Sequence, residues 1–318
     1  MDLILVNLID GLVYGLLLFM LSAGLTLIFS MMGVLNFAHA SFYMLGAYFA
    51  YQISLFMGFW MGMLIAPIIV GIAGAGIERY GLRKVHQYGH VPELIFTFGL
   101  ALLIEEVVQF IWGKNQMAYE EPAILDFALF SIGNNDIAAY KVFMIFMSIA
   151  IFVTLLLILT KTRVGMVIQA ALSYPRTVEN LGHNVPMVFM CVFGVGTGLA
   201  GLAGVIAGPQ LGTFPGMAVL LGSIVFVTIV IGGLGSLWGA LVASLLIGWI
   251  TTFAASSSFA FSEILLALGM EKPVEMSESA LRDLWTLTLP QIGPILPYIL
   301  MVLILVVRPY GLFGKRDK

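Results

Sequence analysis

The sequence predicts an all-α, polytopic membrane protein of about nine transmembrane helices. Three observations carry that expectation: the composition, a series of apolar runs near membrane-spanning length, and the placement of the basic residues. Hydrophobic residues make up 61% of the 318-residue chain and charged residues 10%, with a mean hydropathy of +1.06. Soluble domains hold roughly 45–50% apolar and 25% charged residues. So few charges cannot cover so apolar a chain in water, and lipid is the expected solvent.

A spanning helix needs about 20 predominantly apolar residues. Runs at 5–30, 41–57, 61–77, 93–112, 140–160, 187–208 and 292–307 approach that length. No Lys or Arg precedes Arg79. A cleaved signal peptide needs a basic leading region, so the first run reads as an uncleaved helix. The stretch 219–253 is too long for one span and contains Gly232, Gly233 and Gly235. Two helices meeting at a glycine turn are expected there, which makes nine crossings in a single transmembrane domain over 1–318.

Orientation follows from the basic residues, which concentrate on the cytoplasmic side of membrane proteins. Arg79, Arg83 and Lys84 lie in one loop, Lys161, Arg163 and Arg176 in another, and Arg308, Lys315, Arg316 and Lys318 close the chain. Nine crossings put all three segments on one side. The opposite loops carry Glu120, Glu121, Asp126, Asp136, Glu271, Glu275, Glu278 and Asp283. The N-terminus is therefore expected outside and the C-terminus in the cytoplasm.

Two loops exceed simple connectors. The cytoplasmic loop 162–186 has room for a short helix interrupted at Pro175, and the external loop 254–291 contains an amphipathic turn at 277–285. A weak internal repeat relates 21–46 to 223–248: each reads as apolar helix, glycine-bearing break, apolar helix, with Gly33 at the first break and Gly232–Gly235 at the second. Paired interrupted helices are a pointer to a transport pathway.

Several chemistries are not expected. The string Gly196-x-Gly198-x-x-Gly201 lies inside an apolar run with no acidic residue following, so it is read as helix packing rather than as a dinucleotide site. Gly194/Gly198 and Gly204/Gly208, spaced by four, let helix backbones approach closely in lipid. There is no P-loop and no zinc-protease motif, and His39, His86, His90 and His183 are scattered. Cys191 is the single cysteine, which excludes disulfides and thiolate metal sites; it is read as a packing residue. No metal site, no bound cofactor, no enzymatic activity and no nucleic-acid partner are expected.

Two polar features stand out. Asn36 and His39 lie between two spans, three apart, and share a face if helical. Backbone that leaves helical geometry at membrane depth must be buried in protein or line a watery cavity. The pair therefore either satisfies freed backbone groups or lines a solute path. Glu105 and Glu106 sit in the outer half of their span, where carboxylates cost several kcal/mol and face the bundle interior or a cavity. Thr97, Glu105 and Gln109 fall on one stripe, and Glu106 points about 100° away. A reading as surface groups and a reading as counter-charges for a cationic solute group both stand.

Taken together, Gly24-Leu25-Thr26-Leu27-Ile28, the run Gly33–Ala40, Tyr43-Met44-Leu45-Gly46-Ala47-Tyr48, Thr162-Arg163-x-Gly165, Leu181-Gly182-x-Asn184, Gly232–Gly239 and Arg308-Pro309-x-Gly311-Leu312 are specific. They resemble the LivH/LivM permeases of branched-chain amino acid ABC importers, nearer LivH, over nearly the whole chain. The resemblance implies a bacterial inner-membrane permease working with a second permease of the same family, two ATP-binding subunits that hold the ATP, and a periplasmic solute-binding protein. It places ATPase coupling at loop 162–186, with Arg163, Gly165, Ala170, Ala171, Gly182 and Asn184 as candidates. Asn36, His39, Glu105 and Glu106 become candidates for the translocation path. The chain departs from the family pattern at Ala40 for glycine, at Glu105 for glutamine, and at Met166, Gln169 and Tyr174 for Arg, Arg and Asp. The solute stays open between branched-chain amino acids, urea or amides, and aromatic acids. An ion-coupled secondary transporter, with Glu105, Glu106 and His39 relaying protons, is the alternative from another class.

Overall fold

A computed structural model describes residues 2–314 except 134, 174, 261, 264–265 and 267–286. The amphipathic turn expected at 277–285, Tyr174, and the basic residues Lys315, Arg316 and Lys318 lie outside the described residues. In chain order the helices are α1 (Asp2–Met32), α2 (His39–Met57), α3 (Phe59–Ile77), α4 (Arg83–His86), α5 (His90–Trp112), α6 (Ala139–Lys161), α7 (Arg163–Ser173), α8 (Pro175–Asn180), α9 (Val185–Leu211), α10 (Met217–Gly232), α11 (Leu237–Ser256), α12 (Leu289–Ile292) and α13 (Leu296–Val307). A π-helical turn, Glu78–Leu82, joins α3 to α4.

Among the described residues, seven helical stretches have the length and hydropathy to cross a membrane: α1, α3 through α4, α5, α6, α9, α11, and α12 through α13. The expectation of nine crossings also counted α2 and α10, and these two differ from the rest. Met217–Gly232 has only 16 residues. His39–Met57 has 19, but its hydropathy is diluted by His39, Tyr43, Tyr48, Tyr51 and Gln52. Both are largely buried, apart from the last turn of the first and Val219, Leu220 and Ser223 of the second. The all-α expectation also needs a correction: β1 (Ala128–Ile132) and β2 (Asn135–Ala138) form an antiparallel hairpin ahead of α6.

The long first helix is the centre of the bundle. From Val13 to Ile28 all of its residues but Tyr14 are buried, against α11, α9 and α6. Small residues bring the helices together, as the four-residue glycine spacings predict. Gly204 of α9 touches the backbone of α2 at Tyr43, Gly46 of α2 touches Gly201, and Gly194 and Gly198 face Gly71 of α3. In lipid, where apolar side chains gain nothing by leaving the solvent, such close packing is what associates helices. Cys191 corrects the packing expectation, because its side chain is exposed on α9.

The break after α1 sets the depth of everything beside it. The His39 ring lies 3.0 Å from the Leu21 carbonyl. At 1.5 Å of rise per residue, Leu21 sits about 16 Å back up α1 from its last residue. Residues 33–38 therefore climb back along α1 without helical structure, starting from Gly33 at φ +64°. A side chain is rarely accommodated at that angle. As a result α2 begins in the middle of the bundle. At the other end, residues 212–216 fold inward with Thr213 fully buried, tied to the chain at Met117 by a 2.8 Å backbone bond. This shortens α10, whose Gly222 reaches Ala40 at the start of α2.

The glycine turn after α10 has a different use. Gly233 adopts φ +97° and Gly235 φ +80°, while Gly232 is the last residue of α10 and packs on the backbone of Gly239. The C-terminal segment clasps this turn, with Leu312 N–H donating to the Ile231 carbonyl at 2.8 Å and Phe313 N–H to that of Gly232 at 3.0 Å.

Candidate functional site

A cavity of about 450 Å³ opens where α2 begins. Its walls come from the 33–38 break, the first turn of α2, the middle of α5, the first half of α10, and α13. Most of the lining is apolar, including Leu25, Phe98, Leu102, Phe226 and Met301. The polar exceptions are Asn36, His39, Ser41, Glu105, Ser223 and Tyr298.

Asn36 and His39 are not one helical face, as the spacing alone proposed. Asn36 stands in the non-helical break and His39 is the first residue of α2. They nonetheless reach the same cavity, and each uses half of its polar capacity on backbone. The Asn36 Oδ1 accepts the Ala38 N–H at 3.1 Å, an Asx-type turn, while its buried Nδ2 has no partner among the described residues. The His39 Nε2 donates to the Leu21 carbonyl, and its buried Nδ1 has no partner among the described residues. Gly24 makes room for this ring; a Cβ there would come within 3.0 Å of it and press on the Gly196 carbonyl. Each side chain therefore holds a backbone group, and both residues also line this cavity.

The amides that open α2 are unevenly used. Those of His39, Ser41 and Phe42 bond to the Asn36 and Ala38 carbonyls, and that of Ala38 bonds to Asn36 Oδ1; the Ala40 N–H makes no such bond among the described residues. Ser41 in turn donates to the Ala101 carbonyl of α5 at 3.5 Å, which registers α5 against the start of α2. Glu105 follows Ala101 by one turn on the same face and lines the cavity. Gln109 donates to its Oε1 at 3.4 Å, and none of the four ion pairs among the described residues includes Glu105. Glu106 is exposed on the outer face of α5 and is not part of this lining. Gly232, Gly233 and Gly235 are also outside it, at the C-terminal clasp.

Sequence reasoning missed Phe37, Gly222, Ser223, Phe226 and Tyr298. Phe37 is part of the break itself, and the others are ordinary residues of apolar helices that only the fold brings to it.

The segment expected to couple to ATPases folds as α7 and α8. Thr162 Oγ1 accepts the Gly165 N–H at 3.1 Å, and Gly165 fits the tight turn because a Cβ would strike the Ile158 and Leu159 carbonyls. Arg163 and Ala170 are exposed. Ala171 is not: it is buried against Val178 and Val185, inside the α7–α8–α9 corner. Gly182 turns the chain at φ +87°, and Asn184 caps α9 by accepting the Met187 N–H at 3.0 Å. The basic loop beside it is tied down as well. Arg83 donates to both oxygens of the buried Glu78 and, at 2.7 Å, to the Pro186 carbonyl, while buried Glu93 is flanked by His86 and His90.

The family model for the permease component of branched-chain amino acid transport systems matches residues 7–305. The chain belongs to this permease family. It is similar to the high-affinity branched-chain amino acid transport system permease protein BraD of Pseudomonas aeruginosa, 26% identical over 78% of this chain and 85% of BraD. LivH of Salmonella typhimurium is 24% identical over 97% of this chain and 94% of its own length. The probable LivH of Methanocaldococcus jannaschii is 24% identical over 96% and 90%. No solved structure matches the chain. As a member of the permease family the protein is a multi-pass membrane protein, and its cavity is a feature of a transport subunit rather than an enzyme site.

Proposed function

We propose that this permease is one transmembrane subunit of an ATP-driven importer that moves amino acids across the bacterial inner membrane. One observation carries the reading: the family match runs through nearly the whole chain, and inside it a cavity lies at mid-bundle between two helices that start there. Interrupted helices around a central site are the recurring architecture of transport pathways. The family assignment supports this over ion-coupled transport. The path runs beside Asn36, His39 and Glu105, with α2 and α10 counted as the two further crossings that complete nine.

The chain has no P-loop, so the ATP is held by separate ATPase subunits, two in number, and a second permease of the same family completes the pore. A periplasmic protein delivers the solute. Ten of the fourteen basic residues fall on the side of α7 and α8 under nine crossings, which supports a cytoplasmic C-terminus and an external N-terminus. In a Cys191→Ala background, a cysteine at Lys114 is expected to react with a membrane-impermeant thiol reagent in intact cells. A cysteine at Arg163 is expected to react only after the membrane is opened. Reaction of the Arg163 position in intact cells would reverse the orientation.

Coupling runs through the exposed face of α7, where Arg163, Val164, Met166 and Ala170 are open. Ala170→Asp is expected to leave a folded permease that loses co-purifying ATPase subunits and labelled L-leucine uptake at least about tenfold, because an unpaired charge is desolvated at the contact. Ala171→Asp is expected to act differently, lowering the stability of the permease itself because its site is buried. Equal loss of folded protein in both variants would remove the α7 docking surface, and unchanged leucine uptake on deletion of the whole chain would remove the amino acid reading.

A further inference from the structure

Two aromatic rings stand together at one end of the cavity. Phe37, on the break before α2, stacks on Phe226 of α10, with ring centroids 6.0 Å apart and planes 19° from parallel. Both residues line the cavity. Their level follows from the contacts around them. Ser41 of α2 meets Ala101 of α5, and Gly222 of α10 approaches Ala40, so these residues lie at about one height. From there α10 runs on to its glycine turn, and Phe226 is about one turn beyond Gly222 in that direction. Glu105 is one turn beyond Ala101 in the opposite direction, because α5 ends at Trp112 against Tyr48 and Gln52, late in α2. The ring pair therefore stands toward the glycine turn and the C-terminal clasp. This is also the α7 side, since α9 leaves α8 there and runs beside α2 in the same direction, Phe193 against Phe42 and Gly201 against Gly46.

The two rings are held very differently. Phe226 belongs to a helix whose last turn is fixed, since the Ile231 and Gly232 carbonyls accept the N–H groups of Leu312 and Phe313 and Gly233 packs on the backbone of Gly314. Phe37 belongs to the non-helical stretch 33–38, where the N–H groups of Val34, Leu35, Asn36 and Phe37 make no hydrogen bond among the described residues. Phe37 is also 46% exposed, so its ring has space to swing into. A stacked aromatic pair is a contact of modest strength. An apolar constriction bars water and polar solutes until it widens. Resting on the transport reading above, we propose that Phe37 and Phe226 form the gate of the solute path on the α7 side. Phe226 is the fixed post and Phe37 the moving leaf. With the rings stacked the cavity is shut off from that side, and displacement of Phe37 lets a solute leave toward it.

The test reads access to the cavity rather than transport, so it does not depend on which solute is carried. Ser223 lines the cavity, is exposed, and lies about one turn before Phe226, so Ser223→Cys in a Cys191→Ala background places a thiol behind the gate. The intact complex is held without nucleotide in membrane vesicles of both orientations, told apart by the reaction of a cysteine at Arg163. A membrane-impermeant thiol reagent applied from the Arg163 side is expected to label position 223 at least tenfold more slowly than from the opposite side. Adding Phe37→Ala or Phe226→Ala is expected to speed labelling from the Arg163 side at least tenfold. Phe37→Tyr, which keeps the ring, is expected to restore the slow rate, as a general loosening of the fold would not. Fast labelling of the parent from the Arg163 side, or an unchanged rate in both alanine variants, would overturn the gate. A second arm leaves the site filled: Phe37→Cys with Phe226→Cys, joined by a short reducible cross-linker, is expected to abolish labelled L-leucine uptake and to recover it on reduction. Full uptake with the cross-link in place would likewise overturn it. If the labelling follows the gate while no leucine is taken up, the amino acid reading falls and the gate stands. If leucine is taken up while labelling ignores both alanine substitutions, the gate alone falls.

Discussion

Replacing Gly204 with leucine is expected to leave little folded permease in the membrane, while leucine at Gly99 is expected to be tolerated. At Gly204 even a Cβ would run into the Tyr43 carbonyl oxygen and come within 3.0 Å of the Ala47 amide. Both are backbone atoms of a helix that carries its own hydrogen bonds, so neither can turn aside. Tyr43 is itself fully buried, so α2 has no free volume behind it. Overpacking of this kind costs about 1–3 kcal/mol where side chains can shift, and more where backbone is struck. Against a total stability of about 5–15 kcal/mol, that removes much of the margin. Gly99 has none of the described residues within 4 Å of its Cβ position. Detergent-extracted yield and thermal unfolding of the two variants, side by side, check this. Comparable loss at both positions would mean that the α2–α9 approach is not what holds the bundle together.

Asn36→Leu and His39→Leu are expected to lower transport per folded molecule at least about tenfold, with stability falling by no more than about 1–3 kcal/mol each. The stability limit follows from the bonds each side chain makes. Asn36 holds one backbone amide, that of Ala38, and His39 holds one carbonyl, that of Leu21, on a helix whose ladder remains. Each substitution also removes a buried atom that has no partner among the described residues, Asn36 Nδ2 or His39 Nδ1, which offsets part of the loss. The transport limit follows from position, since both residues line the cavity where α2 begins. Thermal stability and solute uptake measured on the same reconstituted complexes separate the two effects. Lowered stability with normal specific uptake would confine both residues to supporting the break.

Much of this was legible in the sequence. Hydropathy located every apolar helix, because transfer into lipid depends only on the local run of side chains. Glycines marked the breaks at 33 and 233–235, since few other residues adopt the left-handed angles found there. The four-residue glycine spacing on α9 announced close packing. Polar Asn36, His39 and Glu105 were conspicuous because such groups are costly in hydrocarbon.

Tertiary structure decided the rest. It brought Asn36, His39 and Glu105 to one cavity and put Glu106 on the outside, although the two glutamates are adjacent in sequence and equally unusual there. It turned Ala170 outward and Ala171 inward within one short helix. It started α2 at the level of Leu21 rather than at the end of α1, and folded 212–216 inward to shorten α10. The physical reason is common to all of these. Hydropathy measures how well a segment suits lipid, but not which neighbour it meets or at what depth. Those are set by contacts between residues far apart in sequence, such as His39 on Leu21, Gly222 on Ala40 and Gly204 on Tyr43, where the absence of a side chain on one partner decides how closely the other approaches.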